Sequence, residues 1–134
     1  MNWVISVSTT LWFADLGGNA RFSTGAPPGW VHFGANIGAA DGVLSLQSTS
    51  DDLRRLGEAE LVRAGQALGF IAPKTLVPTG ETRDVHGAGG CYVTLVGSNP
   101  LFHLPDDRWP HAVDPDTVTR VAAAAAALVV KLTR

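Results

Sequence analysis

Few side chains in this chain can ligate, titrate or attack, so their spacing is the first thing to read. Histidines stand at positions 32, 86, 103 and 111, and the single cysteine is Cys91. The stretch from Gly80 to Gly87 gathers Glu81, Asp84 and His86, and Asp84-x-His86 is the shortest metal-like spacing in the chain. A carboxylate beside an imidazole suits zinc, although pairs this short also arise by chance in polar segments. Cys91 opens the apolar run Cys-Tyr-Val-Thr-Leu-Val and has no cysteine to pair with, which reads as a buried structural thiol. His32 alternates to one strand face with Trp30, the position of a half-buried, hydrogen-bonded histidine. His111 follows Pro110 in a loop and is expected to face solvent. The glycine-rich stretch 87–90 runs into a strand instead of opening a helix and lacks a following Lys-Ser/Thr, so it is not read as a phosphate cradle.

These residues need elements to position them. Alternation over 3–8 predicts a first strand, 11–22 a short helix weakened by Gly17-Gly18, and Ser-Thr-Gly-Ala-Pro-Pro-Gly over 23–29 a connection. Strands are predicted over 30–37 and 43–47, paired as a hairpin across the turn 38–42. Ser50 is an N-cap followed by Asp51 and Asp52, and Leu53, Leu56, Ala59, Ala64 and Leu68 form an apolar stripe on a helix ending at Gly69. A short strand is predicted at 74–78 and a stronger one at 91–96, bounded by glycines. After a long loop over 97–113, with Trp109-Pro110 packing it onto the domain, Asp114 caps a helix with Pro115 in its first position. That helix carries six consecutive alanines, which suit close packing on a sheet, and runs to Lys131. Strands mixed with helices give an α/β class: a mixed β-sheet flanked by helices.

The chain has 134 residues, 46% of them hydrophobic, enough for one domain and one core. Charged residues make up 16% and the net charge is −2, which excludes a basic field for gathering nucleic-acid phosphates. No Lys or Arg precedes the apolar N-terminus, so no signal peptide is expected. The apolar run 121–130 falls far short of the roughly 20 residues of a membrane span. A cytoplasmic location is the resulting expectation.

One motif is more specific. The run Gly97-Ser-Asn-Pro-Leu-Phe-His103-Leu-Pro-Asp-Asp107-Arg-Trp-Pro-His-Ala-Val-Asp114 resembles the C-terminal signature of M28 zinc aminopeptidases. In that family a strand and a glycine lead into a His-x-x-x-Asp loop, and a Val-Asp pair opens the final helix. Here these are the strand at 91–96, His103, Asp107 and Val113-Asp114. Upstream, 30–39 looks like the family's central strand and Gly80-Glu81 like the turn before its penultimate strand, so the likeness spans about three quarters of the chain. It implies a single M28-like domain over 1–134, a partial zinc-exopeptidase-like sandwich of the phosphorylase/hydrolase-like kind.

The resemblance makes His103 a zinc ligand, set against the plainer role of a histidine bonded within its loop. It also exposes gaps. The family supplies a His-x-Asp segment, a bridging Asp and a Glu-Glu or His-Glu pair, one Glu activating zinc-bound water. The stretch 8–17 looks like the segment carrying that pair, yet Leu11 and Trp12 fall where His and Glu stand, and the metal-binding Asp falls near Ala35 or Asn36. The expected domain thus lacks the N-terminal metal-binding segments.

Three functions follow as expectations. The first is a non-catalytic M28 peptidase-like relic serving as a binding or assembly module. The second is a fragment of a zinc-dependent aminopeptidase or amidohydrolase, completed by another chain or by a further N-terminal segment. The third is a small-ligand-binding α/β domain. The relic is expected to bind zinc weakly or not at all, with His103, Asp84 and His86 as its candidate ligands, and to take a peptide or small molecule. A sheet so shortened leaves an uncovered edge, which a homodimer would cover.

Overall fold

The structure is a computed structural model that describes the backbone of residues 3–7 and the whole of residues 29–134. Its elements are β1 (Trp3–Val7), β2 (Gly29–Phe33), β3 (Val43–Ser48), α1 (Asp51–Arg63), β4 (Phe70–Ile71), α2 (Thr82–Gly87), β5 (Cys91–Ser98) and α3 (Pro115–Leu132). The five strands form one mixed sheet in the order β1-β2-β5-β3-β4. β1, β2 and β5 run parallel, β3 lies antiparallel to β5, and β4 is parallel to β3. A mixed sheet with helices beside it is the expected α/β class.

Alternation along the strands divides the residues between two faces. Val31, Phe33, Leu44, Leu46, Val93 and Leu95 enter the main core with Leu61 of α1 and with Val121, Ala124, Ala125 and Leu128 of α3. Trp30 and Tyr92, one residue out of phase, pack against Val85 of α2 in a second, smaller cluster. Among the described side chains the first face is apolar except for Ser48 at the end of β3. The second also carries His32, Ser45, Gln47 and Thr94, and on this face the polar chemistry is concentrated.

The helix ends follow from local chemistry. Ser50 Oγ accepts from Leu53 N at 3.2 Å and Asp114 Oδ1 from Asp116 N at 3.1 Å, so both long helices begin at the predicted caps. α1 stops earlier than predicted. Gly65, at φ 75°, donates to Val62 O while Gln66 donates to Leu61 O, a complete Schellman closure that uses the first available glycine instead of Gly69. Ala59, placed in the apolar stripe, is exposed; Gly57, Glu60 and Leu61 are the buried residues of α1.

Other expectations are corrected. β2 and β3 do not form a hairpin, because β5 inserts between them. β2 ends at Phe33, after which Gly34 N donates to Leu95 O and Gly97 N to Ala35 O as the chain turns away. A Cβ on Gly97 would lie 1.7 Å from Asn36 O, so this crossing admits only glycine. The short strand falls at Phe70–Ile71 instead of 74–78, and Thr82–Gly87, to which the sequence assigned no element, is a helix. Trp109, expected to hold its loop to the domain, is 66% exposed. The predicted segment 11–22 lies outside the described residues. No helix among the described residues is long and apolar enough to cross a membrane.

Candidate functional site

The polar face of the sheet is organised around His32. β2 holds it directly beside Thr94 of β5, its register partner, and Thr82, the first residue of α2, closes over both. His32 Nδ1 lies 2.7 Å from Thr94 Oγ1 and 2.9 Å from Thr82 Oγ1, and Thr82 Oγ1 donates to Thr94 Oγ1 at 3.2 Å. All three side chains are buried, His32 retaining 3% of its surface. The other ring nitrogen, Nε2, is buried with no hydrogen-bond partner among the described residues. Its nearest charged neighbour is Glu81, whose Oε2 lies 3.8 Å away.

This environment fixes the proton inventory. Burial pulls His32 below its ordinary value of 6.5, outweighing the upward pull of Glu81, so the ring is neutral near pH 7. A neutral imidazole has one proton to place, and a carboxylate facing Nε2 favours that proton there. Nδ1 is then the acceptor, taking the Thr94 hydroxyl proton while Thr94 accepts from Thr82. The expected half-buried, satisfied histidine is instead a fully buried one satisfied on one side.

A cavity of about 140 Å³ opens on the same face, over β3, β4 and β5. Its polar wall is Ser45, Gln47, Thr79 and Thr94, its apolar wall includes Phe70 and Leu76, and among the described residues no charged side chain lines it. Ser45 Oγ donates to Val96 O at 2.8 Å and Gln47 Nε2 donates to Leu76 O, which ties the segment after β4 to the sheet beside the cavity. Thr94 belongs to both the cavity wall and the His32 cluster.

The candidate metal ligands lie elsewhere. Asp84 and His86 sit on α2, where a separation of two residues turns side chains to different sides. Asp84 is exposed, whereas His86 is half-buried with Nδ1 3.2 Å from Tyr92 Oη. His103 is exposed in the loop after β5, in a left-handed conformation at φ 65°, its ring 4.0 Å from that of Phe102. The three are not brought together. Among the described residues no group of three His, Cys, Asp or Glu side chains is placed to hold a metal ion, so this donor set does not fit zinc. Asn36, near which the resemblance would place a metal-binding Asp, occupies the tight turn after β2 at φ 57°, while Leu11 and Trp12 lie outside the described residues. Asp107 accepts from Asn99 Nδ2 at 3.5 Å, which braces the loop bearing His103. Cys91 is half-buried and accepts from Thr49 Oγ1 at 3.4 Å; His111 is exposed, as expected.

Of the cluster, the residue pattern pointed to His32 and Glu81 but not to each other. Thr82 and Thr94 carry no sequence signal of their own; Thr94 reads as one more β-branched residue in a buried strand. Comparisons with protein-family models, with curated proteins and with solved structures found no match to this chain.

Proposed function

We propose that this chain is a non-catalytic binding module on an M28 peptidase-like frame, and that it binds a small molecule on the polar face of its sheet. The carrying observation is the uncharged cavity of about 140 Å³ beside the His32 cluster. A cavity of roughly 150 Å³ accommodates a benzene-sized molecule, and convergent polar groups in an otherwise apolar wall are what orient a small ligand. The M28-like frame, a zinc-exopeptidase-like sandwich, draws support from the succession of β5, the turn-rich loop with His103 and Asp107, and α3 capped by Asp114. The family's general base is matched by Trp12, which accepts no proton.

Nuclear magnetic resonance of the full chain with small neutral fragments tests the reading. Shifts confined to the amides around Ser45, Gln47, Leu76 and Thr94 are expected; a fragment set that moves none of them sinks it. The enzyme reading, a zinc-dependent aminopeptidase or amidohydrolase completed by another chain or segment, would instead give chelator-sensitive release of an amino-terminal residue with added zinc, lost in His103→Ala.

A further inference from the structure

Alternation along β3 brings Ser45 and Gln47 to the polar face, and both line the cavity. Gln47 is buried, and the far end of its side chain donates from Nε2 to the carbonyl of Leu76, itself a wall residue. The carboxamide thus lies along the wall, between β3 and the segment after β4. Chemistry fixes its orientation, because Leu76 presents a carbonyl oxygen and only the amide nitrogen can donate to it. A carboxamide has two N–H groups and an oxygen with two lone pairs. One N–H is committed to Leu76 O. Among the described residues the other N–H and Oε1 have no protein partner, and Oε1 is not sealed from solvent. Ser45 adds to the accepting side: its proton goes to Val96 O at 2.8 Å, so what remains on its oxygen can only receive.

Gln47 and Ser45 together offer one donor beside two acceptors, with Phe70, Leu76 and Val77 apolar around them and, among the described residues, no charge. An ion entering such a wall loses its hydration without a counter-charge. A neutral group that accepts and donates from adjacent atoms matches this edge, and an amide is such a group. A guest without an N–H would cover Oε1 and leave that acceptor unsatisfied, which is the costly side of hydrogen bonding. We propose that the cavity takes a small uncharged carboxamide or lactam, its carbonyl accepting from Gln47 Nε2 and its N–H donating to Gln47 Oε1 or Ser45 Oγ. Leu76 O, by holding one N–H, keeps the Gln47 amide turned for this pairing. The inference rests on the small-molecule reading above. It adds the ligand's chemical class and the residue that selects it.

Butyrolactam, cyclopentanone and pyrrole are rings of similar size and serve as probes: the first has both the carbonyl and the N–H, the second only the carbonyl, the third only the N–H. Titrations of the full chain are followed through the backbone amide of Ser45 and the side-chain amide protons of Gln47. Butyrolactam is expected to bind about tenfold more tightly than either of the others, the worth of one hydrogen bond, and to shift the Gln47 side-chain signals. Gln47→Met should bind the three alike; should that variant unfold, the series on the unaltered chain decides. If none of the rings binds, the small-molecule reading fails and this inference with it. If all three bind the unaltered chain alike, or butyrolactam leaves the Gln47 side-chain signals in place, the small-molecule reading stands and the inference is overturned. A preference for butyrolactam that persists in folded Gln47→Met overturns it as well.

Discussion

His32 Nε2 and Glu81 Oε2 stand 3.8 Å apart, too far for a hydrogen bond and near enough for the carboxylate to orient the ring proton. The imidazole is buried against this distance, so solvation it loses on folding is only partly replaced. Its proton affinity in the folded chain is therefore lower than in the unfolded one.

Stability should accordingly fall as pH drops through the range below 6.5, the ordinary value for His32. The unfolded chain binds the proton more readily there, so acid favours unfolding, with a slope of at most about 1.4 kcal/mol per pH unit. His32→Gln should flatten this segment of the curve. Asp51, Glu60 and Asp114 are held below their ordinary values, Glu60 by hydrogen bonds from Arg63 and Lys131 and then by their charges. Their contribution is present above those values and is lost at more acid pH, beneath about 4.5 for Glu60. Urea melts at several pH values separate the two windows.

Glu60 is buried and accepts from Arg63 within α1 and from Lys131 Nζ of α3, the latter at 2.5 Å. It thereby staples the two helices that cover the apolar face. Lys131→Met keeps the aliphatic stem and removes the charge, leaving Glu60 with only the exposed Arg63. A loss of about 1–2 kcal/mol is expected, between an exposed pair and a buried one, read from the urea midpoint.

Two glycines should separate by mechanism. Gly97→Ala places a methyl carbon within 1.7 Å of Asn36 O and forces backbone apart, at a cost of about 3 kcal/mol or more. Gly65→Ala meets no close atom but keeps a left-handed conformation at φ 75°, at about 1–2 kcal/mol. Thermal melts of both variants check the order.

The proposal of a homodimer rests on the sheet rim. β4 pairs over two residues only, and Val43, Phe70 and Val77 are exposed around it. Sedimentation at micromolar concentration should give twice 14.0 kDa; a monomer mass sinks the proposal.

The residues that announced their structure did so through local chemistry. Asp114 and Pro115 specify a helix start wherever they stand together, and Ser50 ahead of two aspartates does the same, so α1 and α3 were legible. α2 was not: six residues between glycines, with Glu81 making no side-chain cap, leave no period to read. The strand order was equally hidden, because turn 38–42 is compatible with a hairpin and nothing near it records that β5 occupies the intervening place. The site suffers from the same blindness. His32 meets a threonine 62 residues away, and a hydroxyl in a buried strand looks the same whether it faces a methyl group or an imidazole.

The position of β5 also sets a timetable. β1 with β2, and β3 with β4, are neighbours in sequence, but β5 alone joins the two pairs. On a ribosome that has not yet released residues 91–98, the sheet exists only as two separate ribbons, each exposing a long unpaired side. Consolidation must wait for a strand made late in synthesis, and closing β2 against it spans some 62 residues, a non-local contact of the kind that slows folding. Nascent chains arrested before Cys91 should therefore be protease-sensitive throughout, and those with residues beyond α3 exposed should become resistant in a single step.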